Sequence, residues 1–335
     1  MRSRLESNMR TYSFIVLFFA EFTYYLLILQ TGIVEYHHSM LSEIWMIPVG
    51  GILGIIGSVW LYKQTYWLMP VLLTLQLLLS FHYTDLNALE LFILGGISGI
   101  TAPMLIFHIR HLWIGVIGLS FAYTAGTLLF NIDAAERIGV AVGLSLVALL
   151  MSFMTRYVKE ETKSYESDIT TVYSMGSIFA WLLLDAILFE TLSRDGAMHL
   201  WGVSEYTLPI VFFHIVGLVV AFYLRNWKHN DVVLLVLFAV TYGLYVSHAR
   251  MELSILYPFV ISYYNVIILS RLIKLGYALL AMMSLSLWAA SGMGLFSALS
   301  GNFILAWIVL FVLFVAWSMR TASFKPACRV LDASI

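Results

Sequence analysis

Three carboxylic acids stand inside long apolar runs: Glu21 within 12–34, and Asp185 and Glu190 within 171–193. An acid at the bilayer centre costs about 2.5–3.5 kcal/mol on insertion scales, so such residues face a cavity, a partner or a proton pathway. Glu21 lies roughly 14 Å along its run at about 1.5 Å per helical residue, near the midplane. Asp185 has a similar depth, and Glu190 lies nearer the outside. No lysine or arginine stands at matching depth in any run. Carboxyls placed this way suit proton coupling or cation binding; the structural alternative is a neutral acid hydrogen-bonded between helices for packing. Gln30, Gln76 and His214 are further polar candidates for the same pathway, as are Tyr263, Tyr264 and Asn265, which follow Pro258. Tyr24 and Tyr25 share a run with Glu21.

The elements that must position these residues are apolar runs at about 12–34, 44–62, 66–83, 87–108, 112–131, 137–154, 171–193, 207–224, 231–249, 253–272, 275–298 and 302–319. A helix needs about 20 residues to cross roughly 30 Å of hydrocarbon, so the pattern predicts about twelve transmembrane helices. Composition agrees: 61% of the chain is hydrophobic and 11% charged, against about 25% charged in a soluble domain. The first run is too long for a signal-peptide core and has no small-residue cleavage site after it, so it is expected to be retained.

Lysine and arginine accumulate in cytoplasmic loops. With both termini cytoplasmic, the outer segments hold only Arg137, Arg194 and Arg250, and the other lysines and arginines all fall inside. Net charge is −1, which gives no basic field for nucleic acid. The expected partners are the lipid bilayer and a small-molecule or ion substrate, with no cofactor. The single cysteine, Cys328, excludes an intramolecular disulfide and a cysteine-based metal site.

The charged stretch 159–168 follows six runs and precedes six. It divides the chain into an N-terminal six-helix bundle (1–155), a cytoplasmic linker (156–170), a C-terminal six-helix bundle (171–320) and a cytoplasmic tail (321–335). The halves are faintly self-similar, a feature of many transporters. Ser13 and Glu21 match Ser177 and Asp185 at one constant offset, Gly32 matches Gly196, and Pro103 and Pro258 sit at comparable depths.

This 6+6 layout, with a charged central linker and both ends inside, resembles the major facilitator superfamily. The likeness spans the chain and is architectural. The loop after the second run reads Leu61-Tyr-Lys63-Gln-Thr-Tyr-Trp67, without the family's Gly-x-x-x-Asp-Arg-type sequence. The loop after the eighth, Arg225-Asn-Trp-Lys228-His-Asn-Asp231, keeps basic and acidic residues but not that pattern. The resemblance implies an all-α integral membrane protein in which the first helix of each half lines a central cavity, so that Glu21 and Asp185 face each other across it. It also implies that spans 2 and 5 lie where the halves rock on one another. Those spans and span 4 are glycine-rich, with Gly50, Gly51, Gly54 and Gly57, Gly95, Gly96 and Gly99, and Gly115 and Gly118. Such spacings bring helices close together.

The function expected is secondary transport of a small solute across a membrane, taken to be a bacterial cytoplasmic one, coupled to protons through the buried acids. No Walker-type loop is present, and no enzymatic activity is expected. One alternative is a metal-cation transporter, for example of copper or iron. The outer segments collect His37, His38, His82, His199 and His248 with acids and Met40, Met198 and Met251, groups that attract such ions. The others are a membrane-embedded redox subunit, for which paired buried histidines would be needed, and a non-transporting assembly partner.

Overall fold

A computed structural model describes residues 2–36, 41–155, 157, 169–195, 198, 200–201, 203–301 and 303–323. The central linker, most of the C-terminal tail, Gly196 and three of the outer histidines, His37, His38 and His199, lie outside them. The described chain is all-helical, without a strand. Its long helices are α1 (Arg2–Tyr24), α2 (Met46–Leu61), α3 (Thr65–Ser80), α4 (Ala88–His108), α5 (Leu112–Leu129) and α6 (Ile138–Met154), then α7 (Ile169–Arg194), α8 (Ser204–Leu224), α9 (Asn230–Val246), α10 (Arg250–Leu272), α11 (Tyr277–Leu299) and α12 (Ile304–Ser323).

Eight helical stretches among the described residues are long and apolar enough to cross a membrane. One of them, Met46–Ser80, bends at the 3-10 turn Tyr62–Gln64 and so comprises α2 and α3. Three shorter apolar helices, Ile138–Met154, Asn230–Val246 and Ile304–Met319, accompany them. Large apolar side chains point outward along these helices, among them Trp60, Trp67, Leu208, Tyr223, Phe296 and Phe311. A soluble monomer rarely exposes apolar patches above a few hundred Å², whereas a lipid-facing helix must. The chain is a multi-pass α-helical membrane protein.

The helices pack in a recurring pattern. The most extensive pairs are α2 on α4 and α8 on α10, followed by α7 on α11; α1 lies against α5 and α6, and α3 against α6. α5 rests on α8, and α2 rests on α11. The α2–α4 pair is set by glycine. A methyl group added at Gly95 would lie 2.1 Å from the Ile47 carbonyl oxygen, and one at Gly99 would lie 2.2 Å from that of Gly51. The backbones therefore touch directly, which only residues without a β-carbon permit. Gly57 of the same helix has nothing within 4 Å of the equivalent position. Gly95→Ala is accordingly expected to lower the yield of monodisperse, detergent-solubilised protein severely, while Gly57→Ala leaves it unchanged. Size-exclusion profiles of the two variants check this, and equal profiles would refute backbone contact at Gly95.

The α2–α11 seam is closed at three levels. Trp45 meets Phe296 with ring centroids 6.5 Å apart. A methyl group at Gly51 would lie 2.6 Å from the Trp288 indole. Tyr62 stacks on Tyr277 at 4.2 Å, with Phe107 edge-on to Tyr277 at 5.2 Å. The loop after α8 is tied down by its own polar residues. Asn230 donates to the carbonyls of Leu224 and Arg225 and accepts from the Tyr263 hydroxyl, and Asp231 pairs with Arg271 at 2.8 Å.

α1 changes pitch in mid-course. It continues as a π-helix over Tyr25–Gly32 and closes with a short turn, Ile33–Tyr36. A π-helix bonds i→i+5 and typically marks a functional site. Its wider turn keeps Glu21, Tyr25 and Gln30 on one face, where uniform α-helical pitch would carry them apart. Gly32 makes the tight end possible, since a methyl group there would lie 2.7 Å from the Leu27 carbonyl oxygen.

Candidate functional site

A cavity of about 260 Å³ is walled by α1, α4, α5, α7, α8, α10 and α11. Glu21 reaches it from α1 and Asp185 from α7. Gln30, His214, Tyr264 and Asn265 also line it. The other three sequence candidates take positions around the wall. Gln76 stands behind Glu21, Tyr263 turns toward Asn230, and Glu190 is buried on α7.

The two acids have different surroundings. Glu21 Oε1 accepts one hydrogen bond, from Gln76 Nε2 at 2.8 Å. The same amide lies 3.4 Å from Ser145 Oγ, which contacts Ser80 Oγ at 3.0 Å, and Ser80 in turn meets the Tyr24 hydroxyl at 3.0 Å. Tyr24 is thus part of the packing behind Glu21. Gln76 Oε1, fully buried, has no hydrogen-bond partner among the described residues. An amide with a spare carbonyl next to an acid suits both proton states. The N–H donates to a carboxylate, and after rotation the carbonyl accepts from a carboxylic acid.

Asp185 is held from two sides. Tyr257 donates to Oδ1 at 2.9 Å and Tyr264 to Oδ2 at 2.5 Å. The backbone at this level is fixed as well, because Tyr242 donates to the Leu184 carbonyl at 2.7 Å. With both oxygens accepting hydroxyls, the geometry suits a carboxylate aimed at the cavity. Beside it, Asn265 donates to the Tyr123 hydroxyl at 2.7 Å. Tyr123 stacks on His214 with centroids 4.4 Å apart, and His214 Nδ1 lies 2.8 Å from Ser262 Oγ. The imidazole is therefore committed to α10 and to a ring, not presented alone.

The rest of the wall mixes aliphatic, small polar and aromatic side chains. Tyr25 meets Trp288 edge-to-face at 6.3 Å, and Phe22 meets Tyr123 at 5.8 Å. Trp201, between α7 and α8, contacts Phe189 at 5.1 Å. These residues were not among the sequence candidates apart from Tyr25, although they carry a signal: Ser284, Trp288 and Ser291 recur at helical spacing along α11, as do Tyr123 and Thr127 along α5, with Phe130 just past its end.

Arg137 is the other residue whose position the sequence did not give. Counted as an outer-loop base, it is 2% exposed and buried against α1. Its guanidinium donates to the carbonyls of Ile132 and Phe130, each at 2.7 Å, and to Leu27 O and Thr31 Oγ1, each at 3.2 Å. It thereby pins the π-helical segment that carries Gln30 and Thr31 into the cavity wall.

Among the described residues no group of three His, Cys, Asp or Glu side chains could hold a metal ion. His82 is engaged by Glu90 at 3.2 Å, and His248 occupies a left-handed turn with φ 55° before α10. No protein-family model matches the chain, and no curated protein matches it in sequence.

Proposed function

We propose that the chain is a secondary active transporter of a small solute, coupled to protons, with twelve spans in two six-helix halves of the kind that defines the major facilitator superfamily. The single observation that carries this reading is that Glu21 and Asp185, the matching acids of the first and seventh helices, wall one cavity.

The helix neighbours support the two-fold arrangement. Advancing each pair by six helices turns α2–α4 into α8–α10, α1–α5 into α7–α11, α1–α6 into α7–α12 and α3–α6 into α9–α12, and all of these pairs occur. The cross-half contacts α5–α8 and α2–α11 exchange under the same shift. Splitting Met46–Ser80 at its bend and adding the three shorter apolar helices to the long stretches gives twelve. At about 1.5 Å per residue, a 17-residue helix reaches roughly 25 Å, close to the hydrocarbon thickness of a thin bilayer. In this arrangement the halves meet along α2–α11 and α5–α8, the surfaces on which they would rock to open the cavity to one side and then the other. The linker, the cytoplasmic ends and a bacterial cytoplasmic location belong to the same proposal.

The test is a proton-flux assay. Liposomes containing the purified protein and an internal pH-sensitive dye are given a pH gradient and challenged with a panel of amino acids, sugars, organic cations and divalent metals. At least one solute is expected to accelerate proton movement over protein-free liposomes. A panel that moves no protons through folded protein would sink the proposal, and a response confined to copper or iron would transfer it to metal transport.

A further inference from the structure

We infer that the cavity selects an organic cation, a positively charged nitrogen on an aromatic or aliphatic body, with Asp185 as its counter-charge. This inference rests on the reading of the cavity as a substrate site and names the class of substrate.

Charge, surface and shape lead to it separately. Among the described residues lining the cavity are two acids, Glu21 and Asp185, and no lysine or arginine. Arg137, which holds Thr31 of the wall, spends its donors on three carbonyls and the Thr31 hydroxyl and pairs with Glu35 at 3.9 Å. An anionic solute would meet like charge and no counter-ion. The wall is also mostly aromatic and aliphatic, with Phe22, Tyr25, Trp201, Tyr264 and Trp288 around the acids. Neutral hydrogen-bonding groups, among them Gln30, Thr101, Thr127, Asn265 and Ser291, share that wall, and none of them supplies the counter-charge that a solute carboxylate needs. A cation with an apolar body needs a carboxylate for its charge and ring faces for the rest, since aromatic faces attract cations through their quadrupole. The volume, about 260 Å³, is near the small end of ligand pockets, which limits the body to the size of one ring with a compact head group.

Trp288 is positioned for this role. Its indole packs against Gly51 of α2, where a β-carbon would come within 2.6 Å, and Tyr25 braces it edge-on. Of the two acids, Asp185 is assigned the counter-charge because both its oxygens are oriented by phenols. Glu21 has a single amide donor.

The test is a binding comparison on the full chain in detergent. Benzyltrimethylammonium and phenylmethanesulfonate share a benzyl body and a compact tetrahedral head, and they differ in the sign of charge. The cation is expected to bind at one site per chain by equilibrium dialysis, and the anion not to bind. Trp288→Leu is expected to weaken the cation about fivefold, the scale of a partly desolvated cation–π contact. Asp185→Asn is expected to weaken it by about tenfold or more, as for loss of the opposite charge in a site shielded from bulk water. Equal affinity for cation and anion in the wild-type protein would overturn the inference without recourse to any variant. Unchanged cation affinity in a folded Asp185→Asn protein would do the same. The two readings fail separately: cation binding without any solute-driven proton flux removes transport alone, and proton flux driven only by a neutral or anionic solute removes the cation alone.

Discussion

Glu21→Gln is expected to keep solute exchange and lose proton-driven accumulation, while Asp185→Asn loses both. One proton per solute moved down a gradient of one pH unit supports about a tenfold concentration ratio, because about 1.4 kcal/mol corresponds to a factor of ten. In the Glu21→Gln protein that ratio is expected to fall to about one at steady state, with counterflow of labelled solute intact. Hydrogen-bond arithmetic supports the asymmetry. Gln76 donates to Glu21 and keeps an unpartnered carbonyl. Rotation of its amide therefore satisfies a glutamine at position 21 as well as it satisfies a carboxylic acid, and the fold is undisturbed. At position 185 an amide presents one acceptor oxygen where the carboxylate presented two, so Tyr264 loses its acceptor or Tyr257 is left with the residue's backbone carbonyl alone, and the solute loses its counter-charge. Steady-state accumulation and counterflow in proteoliposomes measure both quantities. Undiminished accumulation in Glu21→Gln would take the proton away from Glu21, and undiminished counterflow in Asp185→Asn would take the solute away from Asp185.

What the sequence made legible follows from what hydrocarbon enforces. Backbone polar groups must be satisfied within each span, so apolar runs had to become helices, and the runs around Glu21, His214 and Asn265 did. An acid in such a run faces a cavity or a partner, so type and depth singled out Glu21 and Asp185, while their place on a common cavity was implied only by the architectural resemblance. The residues around them were harder. Tyr263 and Tyr264 are adjacent and chemically identical, yet helical rotation of about 100° sends one to Asn230 and the other to Asp185. Gln76 is on a helix outside the cavity wall, and only the tertiary fold brings it against Glu21. Trp288 looks like any lipid-facing tryptophan until Gly51 is seen beneath it. The π-helical segment left no mark in composition, since Tyr25–Gly32 reads as ordinary apolar helix. One of its hydrogen-bond donors comes from about a hundred residues away, in Arg137.

Arg137→Ala is expected to cost the protein about 3 kcal/mol. The guanidinium serves three backbone carbonyls and one hydroxyl in a site with 2% exposure, and each buried acceptor left without a donor costs about 1–3 kcal/mol. Water entering at the helix ends offsets part of that sum. At about 2 °C per kcal/mol in a chain of this size, the thermal unfolding midpoint in detergent is expected to fall by roughly 6 °C. Arg137→Met separates hydrogen bonding from packing, because it retains an apolar stem beside the Phe130 ring, 5.2 Å from the guanidinium carbon. If the donors matter, methionine is as damaging as alanine. Arg137→Lys should fall between, since an ammonium carries charge and three donors but not the planar fork that spans α1 and the α5–α6 turn. The consequence reaches the cavity. Without Arg137 the Leu27 carbonyl keeps only the Thr31 hydroxyl, at 3.1 Å, and regular α-helical pitch becomes the better way to satisfy α1. Removing the extra π-helical residue rotates everything beyond it by about 100°, which turns Gln30 and Thr31 off the cavity wall. The methionine variant is therefore expected to lose cation affinity although Arg137 itself does not line the cavity, whereas a merely stabilising arginine would change the midpoint and leave affinity alone. Measuring both in the same preparation decides between the two roles.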